Sequence, residues 1–328
     1  MQSILKFHPL IRSYYFGGQR LISWNKTLPS QGAAESWEVS AYGDFTSVTA
    51  GGEFDGQSLR DLMVSHPSWW PTPSLPLIKL LDVSSSLPIH VHPSDFQAQQ
   101  MSGNDPGKAE AWVILEAGPT ASVAIGFNRD YTSEEIAKMA LNGNLLEALN
   151  RYPAVSGDVF LIPPRTPHSA HDVVLWEVQQ PSDRSIFAEP HDIYGTPVSL
   201  ITFEAWVNDF TRIVSPEGSS GHHLSSIWGS IPLFSGFGCA HFLTVGITGE
   251  NPVVPLSYGI LTCIAGRAMV KSPSSTSEEL VKGTSILLPM GEEDYTIDYL
   301  SSNARLLHVR HPSTEDLEIL AQLGRNFD

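Results

Sequence analysis

Apolar positions along this chain fall mostly in short runs separated by glycine, proline and small polar residues, a pattern that predicts an all-β protein with few helices. In residues 1–60 the runs are punctuated by Gly17-Gly18, Gly51-Gly52 and Gly56, as tight turns require. Glu35–Ser40 reads as a strand with Trp37 and Val39 on one face and Glu38 on the other, because side chains alternate along an extended backbone. Leu77–Val83 is rich in Leu and Ile with little alternation, as in a strand buried on both faces. Further strands are predicted over Glu110–Leu115, Gly157–Ile162 and Val173–Val178. Helical spacing is confined to two places. Within residues 131–152, Ser133-Glu134-Glu135 forms a helix start, followed by Ile136, Met139 and Ala140 and, after Gly143, by Leu145, Leu146 and Leu149. Two short helices are expected there, covering the β structure without chemistry of their own. Pro312–Phe327 predicts a terminal helix capped by Ser313, with Leu317, Leu320 and Leu323 spaced for docking.

The pattern also repeats. GTSILLP at Gly283–Pro289 has the glycine, apolar and proline spacing of GDVFLIP at Gly157–Pro163. His168 lies five residues after the first proline and Asp294 five after the second, so two related barrel units are expected, only the first with a metal site. The expected division is 1–205 for the N-terminal metal-binding unit with its insertion, 206–311 for the C-terminal unit and 312–328 for the helix. Residues 206–235 are expected to act as linker, most flexible at Pro216–Gly221.

Composition narrows the class. Apolar residues make up 41% of 328, enough for a sizeable core. Thirty-five acidic residues against 19 basic ones give a net charge of -16, which repels phosphodiester backbones and anionic lipid; nucleic acid and membrane partners are not expected. Cys239 and Cys263 are too few for a disulfide framework. The first twenty residues carry no signal-peptide pattern, and the most apolar run, Tyr258–Val270, is too short to span a bilayer; a cytoplasmic location is the expectation.

The candidate chemistry centres on Ile89-His90-Val91-His92-Pro93. Two histidines one residue apart on a strand project from the same face. With Glu110 opening a later strand and His168 following a proline turn, they make three imidazoles and one carboxylate, donors that suit zinc, iron, manganese, cobalt or nickel. His8, His66, His171, His191, His241, His308 and His311 are scattered and His222-His223 falls in the expected linker, so these are read as structural.

These residues carry a resemblance to the cupin superfamily, and within it to the class I mannose-6-phosphate isomerases of the short bacterial type. It runs through HPLIRSYYFGGQRL, ESWEVS, HVHPSD, GKAEAWVIL, GDVFLIPPRTPHS and WEVQQPSD. The resemblance implies two cupin (jelly-roll β-barrel) domains. It also implies one divalent metal, usually zinc, held by His90, His92, Glu110 and His168, with His90 in place of the family's glutamine, and it places Lys108 in a sugar-phosphate cleft. One position departs further: Phe187 stands where the family has an arginine that stabilises an enediol, and a phenyl ring cannot offset that charge. Arg184, three residues earlier, would face the other side of a strand, so Arg165, in place of a usual turn glycine, is the candidate substitute cation. The activity expected from the resemblance is conversion of mannose 6-phosphate to fructose 6-phosphate or of a related sugar. A non-catalytic or regulatory carbohydrate-binding cupin and a metal-dependent cupin oxidoreductase are the alternatives.

Overall fold

The computed structural model describes residues 3–72, 74–219, 223–225, 236–248, 256–274, 276–291 and 294–325. Two large antiparallel sheets dominate it. The ten-stranded sheet runs, in spatial order, His223–Leu224, Val159–Ile162, Glu110–Phe127, His168–Gln179, Leu77–Ser86, Glu35–Val39 and Leu10–Arg12. Three short strands join it: His90–Val91 on the His168–Gln179 strand, Ile186–Phe187 on His90–Val91, and Leu149–Pro153 on Glu110–Phe127. The seven-stranded sheet comes mostly from the C-terminal third, with a smaller three-stranded sheet beside it.

Trp112, Ile114, Phe160, Val83 and Leu175 fill the interior of the first sheet's curl. A second core joins the two large sheets, where Ile78, Leu80, Trp176 and Val178 pack with Ile260, Leu287 and Leu307. At roughly 1.5–3 kcal/mol for each fully buried large apolar side chain, this shared core binds the two halves of the chain together. The Trp176 indole donates across it to Thr262 Oγ1 (3.2 Å), and the Lys26 ammonium bridges Glu38 Oε2 (2.6 Å) and the Gly283 carbonyl (2.7 Å).

Both repeated glycine-apolar-proline segments form strands, Val159–Ile162 and Ser285–Leu288. The glycine ahead of each has positive φ, 98° at Gly157 and 86° at Gly283, and at Gly283 an added Cβ would lie 2.1 Å from the Trp24 carbonyl. The C-terminal helix spans Thr314–Gln322, capped by Ser313 in a reciprocal capping box with Asp316; Asn326–Asp328 lie outside the described residues.

Several expectations need correction. Trp37 and Val39 do not share a face, because a bulge at Glu38 leaves Trp37 opposite Lys79 and Val39 opposite Ile78, whose side chains point to opposite sides. The insertion contains one α-helix, Ser133–Leu141, and a 3-10 turn, Leu145–Ala148; from Leu149 the chain is already a strand. The expected linker begins inside a 14-residue helix, Leu200–Ile213, capped by Ser199 and burying Phe203, Val207, Phe210 and Ile213. Within Pro216–Gly221, Ser220 and Gly221 lie outside the described residues, as does His222. The first strand, Leu5–His8, belongs to the seven-stranded sheet, paired with Ser285–Leu288, so the sheets are not divided at one point in sequence. Among the described residues, no helix is long and apolar enough to cross a membrane.

Candidate metal centre and cavity

His90, His92, Glu110 and His168 converge, their potential ligand atoms all within 4.8 Å of one another and all four side chains buried. Local pairing explains this. Val159–Ile162 runs beside Glu110–Val113 and ends with Ile162 opposite Glu110; the Pro163–Pro167 turn then returns the chain as His168, which pairs directly with His90. The Arg165 N–H donates to the His92 carbonyl (2.7 Å), tying that turn to the other histidine segment.

Each imidazole is held by a backbone carbonyl. His90 Nδ1 lies 2.8 Å from the Pro88 oxygen, His92 Nδ1 2.8 Å from that of Arg184, and His168 Nδ1 2.8 Å from that of Thr166. A carbonyl only accepts, so each Nδ1 carries the proton and each Nε2 keeps its lone pair, the tautomer a metal ligand needs. Burial, then the neighbouring imidazoles, holds His90 well below its usual value; burial and the Lys108 ammonium bring His92 to about 3, so both are neutral. Burial alone would raise Glu110, but the Lys108 ammonium outweighs it and the carboxylate stays ionised.

The convergence leaves acceptor facing acceptor. Glu110 Oε1 lies 3.0 Å from His168 Nε2, and neither atom has a hydrogen-bond donor. Two buried lone pairs at that distance repel unless a cation lies between them. Ligands about 2.1 Å from a common ion sit at most about 4.2 Å apart, so the cluster needs to contract by only a few tenths of an ångström. The donor set fits a divalent metal, with Lys108 Nζ 2.6 Å from Glu110 Oε2 and 3.2 Å from His92 Nε2 beside it.

Of the four, His90 lines a cavity of about 210 Å³, whose wall also includes Arg12, Tyr14, Glu35, Lys79, Lys108, Trp112, Glu177, Asp183, Phe187 and Tyr194. Phe187 pairs with His90 in register and its ring centroid lies 5.8 Å from that imidazole. Lys79, fully buried, stands 3.5 Å from Glu177 and 3.9 Å from Glu35. Burial pulls its ammonium down, yet the two carboxylates reverse this and the net shift is upward. Glu177 is raised, by burial and then by Glu110.

Arg165 and Arg184 stand elsewhere. Arg165 is exposed on the turn with φ of 70°, the left-handed region where glycine costs nothing, and its Nε donates to the Ile213 carbonyl (3.3 Å). Arg184 donates to the Ser102 carbonyl (2.7 Å). Neither lines the cavity; the cations that do are Arg12, Lys79 and Lys108. Sequence reasoning missed Arg12 and Lys79, although a lone lysine in the apolar run LIKLLDV signals a buried, paired charge. His223, outside the cavity, stacks on Phe160 at 4.7 Å.

Comparison with known proteins agrees with this architecture. Mannose-6-phosphate isomerase ManA of Bacillus subtilis is 32% identical over 184 residues, 55% of this chain and 58% of its own length. The chain thus spans well under two thirds of that relative, but YvyI of the same organism matches at 27% over 307 residues, 90% of this chain and 96% of its own. The crystal structure of a Bacillus subtilis mannose 6-phosphate isomerase superposes with a TM-score of 0.75 at 23% identity, covering 94% of this chain and 100% of its own. The chain is similar in sequence to mannose-6-phosphate isomerases and shares the fold of the solved one. A mutant phosphomannose isomerase from Salmonella typhimurium shares the fold at a TM-score of 0.69 and 16% identity, covering 94% of this chain and 99% of its own. No family model matches the chain.

Proposed function

We propose that this cupin is a metal-dependent aldose–ketose isomerase, the reading favoured by a lone-pair cluster of three imidazoles and a carboxylate whose His90 lines, together with Lys108, a sugar-sized cavity. The names of its relatives make mannose 6-phosphate the reference substrate, with fructose 6-phosphate as product and related sugars as the wider class.

The reaction moves the C2 proton to C1 and the O2 hydroxyl proton to O1, so C2 is oxidised, C1 is reduced and the atoms balance without a co-reactant. His90, His92, Glu110 and His168 would hold the metal, zinc or another divalent ion that suits imidazole. When bound, it supplies Lewis acidity toward the sugar oxygens. Lys108, 2.6 Å from Glu110 and 3.6 Å from Glu177, is assigned proton transfer at the C1–C2 unit. Trp112 holds Glu177 through its indole N–H (3.1 Å) and closes the cavity behind it. Arg165 takes no part in this reading, since its side chain is engaged with the Leu200–Ile213 helix.

One observation favours a second reading. Phe187 presents a ring where the resemblance expects an enediol-stabilising cation, as would suit a carbohydrate-binding cupin without turnover. Incubating the metal-loaded protein with mannose 6-phosphate and, separately, with mannose, and following ketose formation, tests the proposal. Ketose from either substrate, lost in Lys108→Met, supports isomerisation; binding without ketose supports the second reading.

A further inference from the structure

We propose that the sugar this cavity accepts is uncharged, an unphosphorylated aldose or ketose in preference to its phosphate ester. The inference rests on the isomerase reading and names its substrate class.

Each cation lining the cavity is already matched to a carboxylate. Arg12 Nη1 lies 3.3 Å from Asp183, and its guanidinium covers the rings of Trp37 (4.9 Å) and Phe45 (4.6 Å). Lys79 is divided between Glu177 and Glu35 at 3.5 and 3.9 Å. Lys108 lies 2.6 Å from Glu110. A phosphate dianion binds where Arg or Lys donors are free or where helix N-termini aim N–H groups at it. Among the described residues of this wall, the charge of each cation is offset by a carboxylate, so none is in excess for a dianion, and an entering phosphate would meet Glu35, Glu177 and Asp183.

A metal does not change this at the far end of the sugar. Its charge would lie at the histidine cluster, where the reacting C1–C2 unit must also lie, whereas a 6-phosphate sits at the other end of the molecule. The groove that Tyr42 lines is separate from this cavity; there Arg60 donates to the Gly43 carbonyl (3.1 Å) beside Asp44 and Asp105.

What the cavity does offer suits hydroxyls and C–H faces. The carboxylates accept hydrogen bonds, and Glu177 Oε1, buried in the wall, has no hydrogen-bond donor of its own. Phe187 supplies an apolar ring beside His90, and Tyr14 and Tyr194 meet edge to face at 5.7 Å in the same lining. At about 210 Å³ the space is smaller than the roughly 300–1,000 Å³ of drug-sized sites, matching one monosaccharide.

The test uses the metal-loaded full chain. Isomerisation of mannose is compared with that of mannose 6-phosphate, and calorimetric binding of mannitol with that of mannitol 6-phosphate, both at fixed ionic strength. A preference of at least tenfold for the uncharged member of each pair is expected. A smaller preference, or one for the phosphate, overturns the inference while leaving the isomerase reading intact; neither turnover nor binding of either sugar overturns both. Asp183→Asn, which unmasks Arg12, should shift the mannitol to mannitol 6-phosphate affinity ratio at least fivefold toward the phosphate. An unchanged ratio in the folded variant contradicts the charge-masking argument, and if that variant does not fold, the wild-type comparison decides.

Discussion

Replacing Lys79 with methionine removes the ammonium that holds Glu35 and Glu177 together in the cavity wall, with little change in side-chain volume. Its nitrogen stands 3.5 Å from Glu177 and 3.9 Å from Glu35, all three side chains are buried, and the ammonium also lies 4.8 Å from the Trp37 ring centroid. At an effective dielectric near 20, each pair has a gross attraction of roughly 4–5 kcal/mol. Desolvation of the ammonium offsets much of that, but the variant still strands two carboxylates, and breaking a buried pair from one side costs about 3–5 kcal/mol. Urea unfolding followed by tryptophan fluorescence at pH 8 should show a loss of that order. The sign with pH follows: Glu177, already raised by burial, is raised further without the ammonium, so it takes up a proton on mild acidification and the deficit shrinks toward pH 5. Adding Glu177→Gln should recover at least about 1 kcal/mol, because it removes one stranded charge. A single variant within about 0.5 kcal/mol of the wild type at pH 8 would refute the assignment of Lys79 as the charge that holds this wall.

Glu110→Gln removes the only anionic donor of the cluster and leaves Lys108 with Glu177 at 3.6 Å, so metal affinity measured by calorimetry should fall at least 100-fold, more than loss of an outer partner typically costs. Burial holds His308 at about 4, against 6.5 when free; folding is therefore favoured fully above 6.5, and up to about 3 kcal/mol is lost as the pH falls through 4. Chemical denaturation over that range should show this loss, and His308→Phe should flatten it whatever its absolute stability. Arg165→Gly relieves a positive φ on an exposed turn, so stability should stay level or rise by up to about 1 kcal/mol and kcat/KM should stay within twofold, whereas a tenfold loss of kcat/KM would return Arg165 to the catalytic groups.

The histidine pair was legible because strand geometry alone places residues two apart on one face, and the structure keeps that relation even though His90–Val91 is only two residues long. The cap of the terminal helix was legible too, since Ser313 initiates it as expected; at the insertion helix the start at Ser133 was read, but its cap, Thr132 in a capping box with Glu135, was not. The Leu200–Ile213 helix carried the same signals, a serine cap and apolar residues at helical spacing, but its place between two β regions suggested a linker. The bulge at Glu38 was not legible, since one extra residue reverses the facing of Val39 without altering composition. Nor was the pairing of Leu5–His8 with Ser285–Leu288, a contact between chain ends with no local signature. The cavity wall was the least legible part. Arg12, Lys79 and Asp183 come from separate strands and loops and become a charge network only when the sheet curls. Phe187 was noticed through the resemblance, while the position of Arg165, outside the cavity lining and donating to the Ile213 carbonyl, is set by tertiary contacts.

The central claim is that the His90, His92, Glu110 and His168 cluster holds one divalent metal on which sugar isomerisation depends. Metal content and isomerase activity measured on the same preparation, for the wild type and for His168→Ala, test it most directly. The account predicts one equivalent of metal per wild-type chain with aldose–ketose interconversion, and loss of both in His168→Ala. A fully metal-loaded wild type that interconverts neither mannose and fructose nor their 6-phosphates would contradict it, as would an active wild type without bound metal.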